Sequence, residues 1–230
     1  METNALRRRR VLSRSAAVLV GLAVLASGST ALAAAWCVAS RLAYVGYVAV
    51  ALRRRSAAGA MAPQTDVEPA WQRFSARASW LMFNDAVAIG ALCLVTRGTL
   101  DLPLPVWVTV AAGLVLVAVG IGVKMWATAS LPPGAFHWRS FFVTDDVVRV
   151  SATGPYRWLA SPMYTLGYAH AYGFALVARS FWGLMGAAFA QAMILLLAAV
   201  VERPQLQRLR ERAAAGQSMT TPPAAGALTK

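Results

Sequence analysis

Between residues 16 and 52 the chain runs 37 residues with a single charged side chain, Arg41. As one helix this stretch would be about 55 Å long at 1.5 Å per residue. A hydrocarbon layer is only about 30 Å thick. The run is too long for one span at ordinary tilt, and it contains a small polar break, Ser27-Gly28-Ser29-Thr30. It is read as a hairpin with spans at about 16–34 and 37–52. Further apolar runs cover 80–95, 105–126, 162–177 and 181–201. Hydrophobic residues make up 58% of the 230 and charged residues 13%, against about 45–50% and 25% in a soluble domain. That excludes a water-soluble globule. The expected fold is all-α, a polytopic transmembrane bundle of five to six spans.

The formal net charge of +13 invites a nucleic-acid reading, but its distribution argues against one. With the amino terminus in the cytoplasm, the cytoplasmic pieces are 1–15, 53–78, 124–161 and the tail from 202. They carry 5, 5, 4 and 5 Lys or Arg residues, 19 of the 22, and only Arg41, Arg97 and Arg179 fall elsewhere. This is the positive-inside bias of a membrane protein, so both termini are expected in the cytoplasm and no nucleic-acid partner is expected. Arg7 to Arg10, the apolar stretch after them and Ala31-Leu32-Ala33 also have the outline of a cleaved secretory signal. Apolar sequence continues past that point and cleavage would spoil the charge parity, so an uncleaved first span is preferred.

The organisation that follows is a basic segment 1–15, a transmembrane domain 16–201 and a low-complexity tail 213–230, rich in Ala, Gly, Thr and Pro and expected to be disordered. The stretch 56–69 reads as a flexible loop. Cys37 and Cys93 both lie in apolar runs, with no CxxC pair, and read as packing residues. No cluster of His, Cys, Asp or Glu has metal-ligand spacing, and no metal is expected.

Polar residues without an obvious structural duty carry the functional information. The segment Thr153-Gly154-Pro155-Tyr156-Arg157-Trp158-Leu159-Ala160-Ser161-Pro162-Met163-Tyr164 reads as a turn followed by an anchored helix start, or as a pocket wall offering an Arg donor and aromatic faces. Glu202 ends the last span, where a carboxylate opposes the helix dipole. Asp85 lies inside the third run and His170 inside the fifth. A buried ionisable group there costs about 2.5–3.5 kcal/mol on insertion scales and usually faces a cavity or partner. The plainer alternatives are a hydrogen bond from Asp85 to Asn84 or a Ser or Thr, and simple packing for His170.

Four blocks in order, Gly154-Pro155-Tyr156-Arg157, Ser161-Pro162-Met163-Tyr164-Thr165-Leu166-Gly167-Tyr168, Tyr172-Gly173-Phe174-Ala175-Leu176 and Val201-Glu202-Arg203-Pro204, resemble the carboxy-terminal half of the membrane-bound phospholipid methyltransferases. The phosphatidylethanolamine N-methyltransferases are the nearest form, within a superfamily that includes the isoprenylcysteine carboxyl methyltransferases. The motif-bearing part is 124–209. The resemblance implies a helical membrane enzyme that uses S-adenosylmethionine on a membrane lipid, with cofactor-binding residues at Gly154, Tyr156, Arg157, Pro162, Met163, Tyr164 and Glu202. This chain departs from the usual pattern at Ala160, Ser161, Arg203 and Gln205. Carboxyl methylation of an isoprenylated or other lipophilic acceptor, and a relative that has lost turnover, are the alternatives.

Methyl transfer from a sulfonium is an in-line displacement, so positioning and water exclusion supply most of the catalysis. Within the implied pocket, Arg157 would clamp the cofactor carboxylate, Glu202 would accept from its ammonium, and Tyr156, Trp158 or Tyr164 would offer a π-face to the cation. A lipid ammonium must lose a proton before it attacks. Glu202, Asp85 and His170 are the candidate bases.

Overall fold

The computed structural model describes residues 2–58, 67–131, 137–142, 154–159, 161–208 and 211. The tail 213–230, residues 59–66 of the expected loop, and Ala160 lie outside them. Among the described residues six α-helices follow in order: α1 (Glu2–Ser27), α2 (Thr30–Ala58), α3 (Val67–Val95), α4 (Val106–Ala129), α5 (Ala169–Val177) and α6 (Phe181–Leu197), and α6 continues through a π turn to Arg208. No strand forms among the described residues. Among the described residues four helices, α2, α3, α4 and α6, are long and apolar enough to cross a membrane, and α1 adds a shorter apolar stretch, Arg14–Ser27. The molecule is a helical membrane bundle.

The first hairpin turns at the polar break rather than at residues 35 and 36. Gly28 takes the left-handed conformation (φ +62°), as the residue that closes a helix commonly does. Ser29 Oγ then accepts from the Leu32 N–H at 3.3 Å, which caps the start of α2. The third span is longer than its apolar run, because helix α3 begins at Val67 and its first turns extend the bundle. Helix α2 likewise persists to Ala58, leaving less loop than the sequence suggests.

The fifth expected span is the largest correction. Only Ala169–Val177 is α-helical, and Pro162 sits buried in a non-helical turn instead of opening a helix. Nine residues rise only about 13 Å, so α5 alone cannot cross. The chain covers the remaining depth in turns and a 3-10 segment, Leu166–Tyr168.

Both ends of the bundle are tied. At one end the turn after α3 meets the α5–α6 turn: Gly98 donates to the Ala178 carbonyl at 3.1 Å and Leu100 to the Arg179 carbonyl at 2.8 Å. Thr96 and Ser180 hydroxyls pair beside them at 2.6 Å. At the other end the Trp71 indole donates to the His137 carbonyl at 3.2 Å, and Gln205 reaches the Leu52 carbonyl at 3.2 Å. Arg97 and Arg179 are at the first end. The loops and termini that carry most Lys and Arg residues all attach to helix ends at the second, here called the basic end.

Helix α5 packs antiparallel against α4 with the backbones almost touching. A Cβ on Gly173 would stand 2.5 Å from the Gly113 carbonyl and 2.7 Å from the Val117 nitrogen. Small residues at such a crossing let two helices gain dispersion contact where no hydrophobic force joins them. Gly173→Val is expected to separate α4 from α5 at a cost of about 1–3 kcal/mol or more, lowering the unfolding midpoint in detergent. Gly46→Ala, in open space on α2, should raise that midpoint by the helix-propensity gain of about 0.5–1 kcal/mol.

Candidate functional site

Five helices, α2 to α6, together with residues 137–138 and the turns of 163–168, leave a gap between mid-depth and the basic end. It is a cavity of about 140 Å³, lined among others by Arg41 and Tyr44 of α2, Asp85 of α3, Lys124 of α4, Trp138, Met163, Tyr164, Tyr168 and His170. At about 10–15 Å³ per water centre this admits on the order of ten waters, the scale of a polar headgroup.

Asp85 lies ten residues before the end of α3, about 15 Å deep at 1.5 Å per residue. Its partner is neither Asn84 nor a hydroxyl. Arg41 Nη2 meets Asp85 Oδ2 at 2.5 Å, with both side chains buried, while Asn84 donates to Ser40 Oγ at 2.8 Å. Neighbouring positions of α2 thus pair with neighbouring positions of α3. The second Asp85 oxygen, Oδ1, and Arg41 Nε are buried without hydrogen-bond partners. Unsatisfied polar atoms of this kind are rare in folded proteins and call for an explanation.

His170 sits across the cavity. Its Nδ1 lies 2.6 Å from the Gly167 carbonyl, an arrangement that requires the ring hydrogen on Nδ1. Nε2 is then an acceptor, and the Lys124 ammonium stands 3.4 Å from it. Four aromatic rings complete the wall. Arg41 lies over Tyr44 and Tyr168 at 5.7 and 5.8 Å from their centroids, and Lys124 over Tyr168 at 5.2 Å.

Glu202 is placed by a change in helix pitch. Residues Ala198–Glu202 form a π turn, of the kind that often marks functional sites. Glu202 Oε1 accepts from Trp138 Nε1 at 2.8 Å and from Tyr164 Oη at 2.9 Å. The carboxylate stands one bond behind the cavity and orders two of its walls. Trp138 holds φ at +53°, a left-handed conformation that costs a bulky residue about 1–2 kcal/mol. Its indole bond to Glu202 and its edge contact with Phe74 at 6.0 Å fix it there.

The non-helical crossing is held by α6. Gln191 Nε2 donates to the Tyr164 and Thr165 carbonyls at 3.1 and 3.3 Å, and its Oε1 accepts from Tyr172 Oη at 2.7 Å. Irregular backbone inside a membrane survives only when its polar groups are satisfied by protein or line a cavity. Residues 161–168 meet both conditions.

The expected site residues therefore separate into groups. Asp85, His170, Met163 and Tyr164 line the cavity, and Glu202 supports it. Tyr156 is half-buried, and burial pushes its phenol up to about 12, with the Glu202 carboxylate adding to the effect. Arg157 is exposed and lies over Trp158 at 5.9 Å, outside the cavity. Gly154 (φ +58°) packs where a Cβ would collide with Ser130, and Pro162 is a buried turn residue. Sequence reading missed Arg41, Lys124, Tyr44, Trp138, Tyr168 and Gln191. The available signal for Arg41 was its isolation in a 37-residue apolar run. Gln191, in an equally apolar stretch, offered the same signal.

Arg41→Met should cost about 3–5 kcal/mol, because it leaves Asp85 buried and uncompensated. The double variant Arg41→Met/Asp85→Leu should recover most of that loss, as read from unfolding midpoints in detergent. Gln191→Leu strips donors from two part-buried carbonyls, at up to about 1–3 kcal/mol for each group left unsatisfied. Hydrogen exchange should then rise in 161–168 before it rises in α2 or α3.

Residues 108–211 match the phospholipid methyltransferase family. A phosphatidylethanolamine N-methyltransferase of Clavispora lusitaniae is 28% identical over 151 residues, covering 57% of this chain and 17% of that protein. One from Meyerozyma guilliermondii is 31% identical over 91 residues, covering 38% and 10%. The chain thus corresponds to less than a fifth of the length of either relative. No solved structure matches it. The matched segment, less than half of the chain, contains α5, α6, Lys124, the Glu202 cluster and the broken crossing, and it is similar to the phospholipid methyltransferase family.

Proposed function

We propose that this protein is an S-adenosylmethionine-dependent methyltransferase that N-methylates a phosphatidylethanolamine-type lipid, with its basic end in the cytoplasm. The observation that carries the reading is the unpartnered Asp85 Oδ1 at a buried, aromatic-walled cavity. The family match and the two named relatives support the chemistry. The excess of Lys and Arg on segments attached to the basic end supports the orientation.

The residues present fit such a cofactor in kind. It needs an acceptor for its ammonium, a cation for its carboxylate and aromatic faces near its charge. Glu202, the cations of the cavity and its rim, and the rings of Tyr156, Trp138 and Tyr164 offer these. Gly154, Tyr156, Arg157, Pro162, Met163 and Tyr164 form the approach from the basic end, with Arg157 at its exposed rim. When bound, S-adenosylmethionine supplies an electrophilic methyl group whose bonding pair stays with sulfur as the new N–C bond forms.

The chain's own part is to bind, orient and deprotonate. Asp85, which lines the cavity and whose Oδ1 has no hydrogen-bond partner, accepts the proton that the lipid ammonium must lose before its nitrogen attacks. Arg41 keeps Asp85 in place through the other oxygen. His170 Nε2 is engaged by Lys124, so Asp85 is the better-placed base of the two. Through Oε1, Glu202 also holds Trp138 and Tyr164, the walls between which reactants are aligned. A lipid enters sideways between helices while the soluble cofactor arrives from the basic end.

Membranes containing the chain, given labelled methyl donor, should yield label in mono-, di- or trimethylated ethanolamine lipids. Asp85→Asn should slow the transfer by about 10²–10⁴-fold, the usual worth of a general base. Arg157→Ala should act mainly on the donor KM. Label confined to other lipids, or absent from folded protein, would overturn the proposal.

A further inference from the structure

The charges of the cavity do not balance. Two cations, Arg41 on α2 and Lys124 on α4, face it with one carboxylate, Asp85. Arg41 commits Nη2 to Asp85 Oδ2, and its Nε has no partner. Lys124 makes no ion pair among the described residues. Among the described residues its ammonium meets the neutral acceptor His170 Nε2 and the face of Tyr168. An ammonium has three N–H donors, so at least one is left over. Both cations lie within 6 Å of the centroid of the same ring, Tyr168, and both line the one cavity. Lys124 is 18 residues from the start of α4, about 27 Å from the opposite end. That is close to the basic-end boundary of the hydrocarbon layer.

Lys124 is only partly exposed, and an ammonium partly withdrawn from water is costly unless it is paired. Among the described residues no carboxylate pairs it. The partner then arrives with a reactant. We infer that Lys124 and Arg41 form a subsite for one singly charged oxyanion, with Asp85 and the aromatic rings left to the cationic end of the same ligand set. The inference takes its two candidate oxyanions from the methyl-transfer reading. One is the phosphodiester of the lipid and the other is the carboxylate of the cofactor. The subsite itself follows from charge and geometry alone.

The test is equilibrium binding to the full chain purified in an uncharged maltoside detergent. Three probes are compared: dihexanoylphosphatidylethanolamine, a phosphate-free dihexanoylglycerol aminoethyl ether, and S-adenosylhomocysteine. Lys124→Gln should weaken either the phospholipid or S-adenosylhomocysteine at least tenfold and leave the other within twofold. Lys124→Arg should restore the weakened one to within about threefold. Loss confined to the phospholipid, with weak and Lys124-independent binding of the ether, assigns the subsite to the phosphodiester. Loss confined to S-adenosylhomocysteine assigns it to the carboxylate. Binding of all three probes unchanged in Lys124→Gln overturns the inference. So does equal loss of all three that Lys124→Arg does not rescue, which would mark Lys124 as a packing residue, and so does a wild-type chain that binds none of them. The readout is binding rather than turnover. A Lys124-dependent site in a chain that transfers no methyl keeps the subsite and removes the enzymatic reading, whereas active protein with Lys124-independent binding does the reverse.

Discussion

The pairing of Arg41 with Asp85 across α2 and α3 constrains everything near it. Each charge alone in the interior of a membrane bundle would cost several kcal/mol. Together, at 2.5 Å, they offset much of that cost, and only at one register of the two helices. Ser40 and Asn84 repeat the register one residue earlier. With α2 and α3 locked in this way, their facing residues Tyr44, Met82 and Ile89 become cavity walls. A buried ion pair is weak evidence for stability, since an apolar pair of equal volume often serves as well or better. An unpartnered oxygen on that same carboxylate, in a residue that lines the cavity, gives the pair a reason to be polar.

The second half of the site depends on breaking a helix where a membrane normally forbids it. A continuous α-helix from Pro162 would satisfy its own backbone and close the space that Met163, Tyr164 and Tyr168 now border. The turns at 161–168 open that space, and Gln191 and His170 take up carbonyls that the missing helix leaves free. Close approach of α4 and α5 at Gly113 and Gly173 holds the short helix against the bundle. The π turn at Ala198–Glu202 then brings one carboxylate to both Trp138 and Tyr164. Gln205, three residues on, is a hook onto the Leu52 carbonyl, so its departure from the family pattern has a structural role here.

Much of the architecture was legible because membranes impose simple rules. Apolar run length gave the helices, and clustering of Lys and Arg gave the end at which loops and termini gather. The polar break at Ser27–Thr30 was visible, but its capping geometry was not, so the hairpin was expected several residues late. The fifth run shows the limit more sharply. Hydropathy over 162–177 is the same whether the backbone is helical or turned, since it registers side-chain transfer and not the carbonyl partners that α6 supplies.

The sequence by itself determined a helical membrane bundle, a basic end, and, through four ordered motifs, the resemblance of its second half to the phospholipid methyltransferases. It also singled out Asp85, His170 and Glu202 as polar groups needing a reason. Only the tertiary structure decided which of them meet, because Arg41 lies 44 positions from Asp85, Trp138 lies 64 from Glu202, and Lys124 lies 46 from His170. Local pattern fixes periodicity and burial preference within one helix. The register between helices comes from packing and from charge pairs that form only once the helices stand side by side.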